Sequence, residues 1–322
     1  MTAPWITYRP GLKVLDCTIR DGGLANDHLF RDDFVKAVYE ACVEAGIDYM
    51  EIGYKNSKKL FPRDKFGPWK HCDEEDIRRV VGENKTALKL AAMCDAGKSD
   101  WKTEVLHKSE SVLDMIRVAF YAPQVSEAVD MIHDAVEKGY EVSANLMAVS
   151  TNNEQEVDQV LDELVKTPVN VIVVVDSFGS MYSEQIEILV KKYLGYALQA
   201  GKIVGVHAHN NQQLAFANTI EGIIHGANRV DGSLAGLGRG AGNCPMELLI
   251  GFLRNPKFKI RPIYQVLQEH LLPLSREVDW GPHVQYNITG QFNQHPRDAI
   301  AARSGDRRDN YVEFYDKLIS DV

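Results

Sequence analysis

Eight short apolar, β-branched runs constrain this 322-residue chain more than any other feature; they lie at residues 12–19, 48–54, 86–94, 115–121, 141–149, 169–177, 202–210 and 229–237. Their starts are roughly 26 to 38 residues apart, about the length of one strand plus one helix. The stretches between them carry helical periodicity. In 32–45, Phe34, Val35, Val38, Ala41, Cys42 and Ala45 fall on one face. Residues 126–138, 154–166, 183–200 and 212–225 repeat that pattern, and Gly46, Gly139, Gly201 and Gly226 stand where a left-handed helix cap is expected. A run such as Val-Ile-Val-Val-Val at 171–175 suits a strand buried on both faces of a parallel sheet. Eight alternating units predict an α/β fold, a (β/α)8 TIM barrel, with an open doubly wound sheet as the alternative. The barrel is expected over 1–254. Residues 255–322, with helical patterns at 263–272, 296–303 and 310–319, are expected to form a C-terminal helical extension packed on it.

In such a barrel the functional groups stand at the C-terminal strand ends. The seventh run ends in His207 and His209, two apart, so both imidazoles point to one face. They read either as a pair of metal ligands or as two satisfied histidines at the barrel mouth. Asp21 follows the first run, with Arg20 beside it, and completes a two-histidine, one-carboxylate set. The carboxylate favours Mg2+ or Mn2+, and the imidazoles also allow Fe2+, Co2+ or Zn2+. Glu51 lies inside the second run, where a carboxylate needs a partner, and Arg20 is the natural one. Asp16 reads as a buried structural carboxylate, and Asp176, ending the sixth run, reads like Glu51 as a barrel carboxylate that needs a partner. Lys89 reads as a Schiff-base lysine or as a strand-end lysine near solvent. After the eighth run, Gly236, Gly238, Gly240 and Gly242 allow close backbone approach to a ligand or to neighbouring backbone. Arg239 in that loop can meet an anionic substrate group. Asn243 either caps the next helix or turns its amide oxygen to a metal.

The formal charge of −9 disfavours non-specific nucleic-acid binding. Five scattered cysteines with no CxxC pair read as reduced thiols in a cytoplasmic protein. The first thirteen residues lack an apolar leader core, and no apolar run approaches the roughly 20 residues of a membrane span.

The segments DCTIRDGG, HAHNN and NRVDGSLAGLGRGAGNCPME together resemble the DRE-TIM metallolyases. These include 4-hydroxy-2-oxovalerate aldolase, hydroxymethylglutaryl-CoA lyase and the isopropylmalate and homocitrate synthases. The stretch from His207 to Asn243 is most similar to the 4-hydroxy-2-oxoacid aldolase branch. The resemblance implies a divalent metal, Mn2+ or Mg2+, on Asp21, His207 and His209. It implies Arg20 on the enolate oxygen of a bound 2-oxoacid, Glu51 holding Arg20, and Asn243 near the metal. Two departures matter. Leu24 stands where the oxovalerate aldolases carry a histidine base, and Cys244 lies beyond the place of the catalytic cysteine of hydroxymethylglutaryl-CoA lyases. The base is therefore sought among His28, Tyr54, His283, Tyr286 and His295, with His28 and Tyr286 taken as the catalytic candidates.

The expected chemistry is cleavage or formation of a C–C bond through a pyruvate-type enolate, with a small 2-oxoacid and an aldehyde as substrates. A Claisen-type acyl-CoA synthase or lyase is the alternative, and a non-catalytic scaffold barrel is a second. A homodimer or higher homo-oligomer is expected, and the aldolase branch implies a possible dehydrogenase partner.

Overall fold

A computed structural model describes residues 9–306 and 308–320. Most of the stretch read for a leader therefore lies outside the described residues. Eight parallel strands form a closed barrel in chain order: β1 (Lys13–Asp16), β2 (Tyr49–Tyr54), β3 (Lys89–Asp95), β4 (Met115–Phe120), β5 (Glu141–Leu146), β6 (Val171–Asp176), β7 (Ile203–Ala208) and β8 (Arg229–Gly232). Closure is made by β1 against β8, in register from Lys13↔Arg229 to Asp16↔Gly232. That pairing excludes the open sheet.

The strands are shorter than the apolar runs because each run's last residues turn out of the sheet at the barrel mouth. Alternation along each strand divides the side chains. Val14, Met50, Ile52, Leu90, Ile116, Val118, Ile172 and Val206 pack outward into the main core beneath the helices. Leu15, Tyr49, Ala91, Met115, Val171 and Val173 pack inside the barrel.

The helices follow from local chemistry. Asp32–Ala45 ends at Gly46, whose φ of 75° is the left-handed cap. Glu154–Lys166 starts at a reciprocal capping box between Asn153 and Glu156. Val125–Glu137, Ser183–Ala197 and Ala215–Ile224 fill the other expected places. A further helix, Glu74–Val81, has no counterpart in the sequence reading. Its two turns are mostly charged, and only Ile77, Val80 and Val81 give it an apolar face, too few for periodicity to register. Beyond β8 come Met246–Leu253, Ile260–Val266, Val284–Gln291, Arg297–Arg303 and Tyr311–Ser320. The last three share a small core of Tyr286, Ile288, Ala299, Phe314 and Leu318, which packs against Ala241 of the loop after β8. Among the described residues no helix is long and apolar enough to cross a membrane.

Candidate metal centre and active site

Asp21 sits on a short helix, Thr18–Gly22, that begins one residue after β1. Buried Asp16 fixes that turn by accepting from the Thr18 amide at 3.1 Å and the Thr18 hydroxyl at 2.7 Å. The same hydroxyl accepts from the Leu234 amide at 2.8 Å, tying the ends of β1 and β8 together. Burial raises the Asp16 carboxyl to about 7 against those two bonds. Asp16 is a structural carboxylate. So is Asp176, which accepts from the amides of Ser180 and Met181.

The structure brings Asp21, His207 and His209 together, with one candidate ligand atom from each lying within 4.8 Å of the others. The two imidazole rings are 5.1 Å apart. Burial keeps His209 well below its usual range and therefore neutral. His207 places Nδ1 3.0 Å from Asp231 Oδ2. With Nδ1–H donating there, Nε2 carries the free lone pair, the arrangement that orients a metal-binding histidine. Burial opposes ionisation of Asp21, but nearby positive charge, Arg20 foremost and Arg239 with it, outweighs burial and holds the carboxyl below the usual range. Arg20 Nη1 donates to Asp21 Oδ1 at 2.5 Å, and Asn243 Nδ2 donates to Oδ2 at 2.6 Å. Asn243 Oδ1 is buried without a partner. Two imidazoles, an ionised carboxylate and an unsatisfied amide oxygen fit a divalent cation bound through nitrogen and oxygen.

Behind these groups runs a buried ion network. Glu51 Oε2 accepts from Arg20 Nε at 2.7 Å and from Arg117 Nη1 at 3.0 Å. Arg117 Nη2 in turn reaches Asp231 Oδ2 at 2.6 Å and Asn145 Oδ1 at 3.1 Å. Glu51 therefore pairs with Arg20 as expected. Sequence reasoning missed Arg117, Asp231 and Asn145. The one available signal was an arginine and an aspartate at inward-facing positions of apolar strands.

A cavity of about 70 Å³ opens over the cluster. Arg20, Asp21, Arg117, Asn145, Ser177, His207, His209, Arg239 and His295 supply most of its polar lining, and Leu24, Tyr54, Met93 and Phe178 part of its apolar lining. Gly238 lets the loop approach, since a Cβ there would stand 2.3 Å from Asn243 Nδ2 and 2.5 Å from Asp21 Oδ2.

Several candidates lie elsewhere. Tyr286 does not line the cavity: it packs behind the glycine loop against Gly240, in the core of the C-terminal helices. His28 does not line it either. It stands edge-on behind the Tyr54 ring at 5.3 Å, fully buried, with both ring nitrogens unpartnered. His283 faces Asp279 on the extension. Asn243 does not cap a helix, because the next one starts at Met246 after Pro245. Cys244 is buried in the main core. Lys89 opens β3 at the opposite end of the barrel and is exposed.

An HMGL-like family model matches residues 11–268. The oxaloacetate decarboxylase of Mycobacterium tuberculosis is 31% identical over 242 residues, 75% of this chain and 69% of that protein. The 4-hydroxy-2-oxovalerate aldolase of Pelotomaculum thermopropionicum is 30% identical over 254 residues, covering 78% and 72%. The N-terminal domain of a candidate aldolase from Bacteroides vulgatus superposes with a TM-score of 0.80 at 27% identity, covering 90% of this chain and 96% of that one. The carboxyl transferase domain of Rhizobium etli pyruvate carboxylase shares the fold, with a TM-score of 0.69 at 16% identity over 93% of this chain and 54% of that one. With more than three quarters of its length matched by one family model, on a barrel of the same fold, the chain belongs to the HMGL-like family.

Proposed function

We propose that the chain is a divalent-metal-dependent aldolase or lyase that makes or breaks a C–C bond of a 2-oxoacid through a pyruvate-type enolate. It is a carbon–carbon lyase, in keeping with the names of its aldolase and decarboxylase relatives. The convergence of Asp21, His207 and His209 beside Arg20 in one small cavity carries this reading. Those three residues would hold Mn2+ or Mg2+, which when bound supplies a Lewis acid for the 2-oxo end of the substrate. Arg20 is fixed through Nε and Nη1, which leaves Nη2 for a substrate oxygen that gains charge as the bond breaks. Tyr54, Met93 and Phe178 shield that oxygen from water.

A second reading, decarboxylation of a 3-carboxy-2-oxoacid, is favoured by Leu24. It puts an apolar side chain in the cavity where the aldolase branch places its base, and loss of carbon dioxide requires no base to deprotonate a hydroxyl. Five buried free cysteines support a reducing compartment such as the cytoplasm. The exposed Tyr311, Val312, Tyr315 and Ile319 on the last helix support a protein partner, either a second copy or a dehydrogenase.

Metal-loaded protein offered 4-hydroxy-2-oxoacids, 3-carboxy-2-oxoacids and acyl-CoA thioesters separates the readings. Aldehyde release supports the aldolase, and carbon dioxide alone the decarboxylase. Thiol release restricted to acyl-CoA overturns both.

A further inference from the structure

Three guanidinium groups line the cavity, and they differ in one respect. Arg20 is ion-paired with Asp21 and Glu51, and Arg117 with Glu51 and Asp231. Arg239 has no carboxylate partner for its guanidinium among the described residues. Its Nη2 donates to the Ser177 carbonyl at 2.9 Å, and its Nε is buried with no partner. Its backbone amide lies 3.4 Å from Asp21 Oδ2, so the residue stands directly beside the candidate metal ligands.

Arg239 Nη1 lies 3.1 Å from His295 Nε2. At its other nitrogen, His295 Nδ1 accepts from the Arg297 amide at 3.1 Å. A neutral imidazole has one lone pair and one N–H. With the lone pair committed to a backbone amide, the proton belongs on Nε2. Burial, together with the nearby charges of Arg239 and Arg297, holds the ring down to about 4, so it carries a single proton near neutral pH. In that tautomer Arg239 Nη1 and His295 Nε2 stand 3.1 Å apart as two neighbouring donors. One anionic oxygen at ordinary hydrogen-bond distance, about 2.8 Å from each, satisfies both. Phe178, edge-on to His295 at 5.7 Å, fixes the ring in that orientation.

We infer that Arg239 and His295 bind a second carboxylate on the substrate, at the end away from Asp21, His207 and His209, which makes the substrate class 2-oxodicarboxylates. This inference rests on the 2-oxoacid reading above. The small cavity suits a short chain ending in a planar carboxylate, which the Arg239 fork matches.

The test is calorimetric binding to the Mn2+-loaded protein of 2-oxoglutarate and 2-oxopentanoate, which share a five-carbon chain and differ in the terminal carboxylate. 2-Oxoglutarate is expected to bind at least about tenfold tighter. The ratio should collapse toward one in Arg239→Gln and fall part of the way in His295→Phe, which keeps the ring but loses the donor. Thermal melts of both variants verify folding. Equal binding of the two acids by the unaltered protein, or a ratio insensitive to both substitutions, overturns the inference and leaves the 2-oxoacid reading standing. Binding of neither acid overturns both. A phosphonate-ended 2-oxoacid that outcompetes 2-oxoglutarate overturns the carboxylate assignment.

Discussion

The two ends of the barrel are both polar, but they are polar in different ways. At the N-terminal end, the first residues of β2, β3, β5 and β8 meet: Glu141 accepts from Tyr49 at 2.9 Å, Lys89 at 3.1 Å and Arg229 at 2.8 Å. In that cluster the Glu141 carboxylate is shared by two cations, and one nitrogen, Arg229 Nε, is buried without a partner. At the C-terminal end the accounts do not close inside the chain. Asn243 Oδ1, Glu51 Oε1 and Arg239 Nε are buried without partners, and two imidazoles face a carboxylate across an open cavity. Leaving a buried polar atom unpaired costs free energy, so the better-paired end reads as the one built for stability and the end with more unpaired groups as the one built for a ligand. This is the division expected of (β/α)8 barrels.

Substitutions at the two ends should therefore separate activity from stability. The largest effect is expected for Arg20→Ala. Removing the donor beside the reacting oxygen should slow turnover about 10²- to 10³-fold, while Mn2+ uptake measured by calorimetry persists. Full rate in that variant would remove Arg20 from the enolate role. Asp231→Asn comes next. Loss of the carboxylate that orients His207 should weaken Mn2+ uptake about 10- to 100-fold, and unchanged affinity would mean that Asp231 serves only Arg117.

The smallest effect belongs to the closed end. Glu141→Gln should lower folding stability by about 1–2 kcal/mol in denaturant titration and leave Mn2+ affinity and turnover alone. The pH dependence carries a definite sign. Burial raises the Glu141 carboxyl, but Lys89, Tyr49 and Arg229 outweigh burial and hold it below the usual value. Its contribution is therefore fully present above the unfolded-state pKa of about 4.5 and is lost as pH falls through the lower folded value. The unaltered protein should lose its advantage over Glu141→Gln below about pH 4.5. An advantage that persists into stronger acid would refute that assignment.

The same contrast explains what could be read from the chain. The strands and most helices were legible because each is decided by a local period, and Asp21, His207 and His209 because each sits at or shortly beyond the end of a strand. Arg117 and Asp231 were not. They are 114 residues apart and become partners only when the barrel closes. Tyr286 failed as a site residue for a related reason. Its direction is set by how Val284–Gln291 docks behind the glycine loop, which no local pattern encodes. His295 was one weak candidate among five until the fold set it against Arg239.

The central claim is that the open end is completed by a divalent cation. Titration of metal-stripped protein with Mn2+, read by electron paramagnetic resonance, tests it most directly. One tight site per chain is expected, lost in both His207→Ala and His209→Ala and kept in Glu141→Gln. Tight stoichiometric binding that survives both histidine substitutions, or no binding by the unaltered protein, would contradict it.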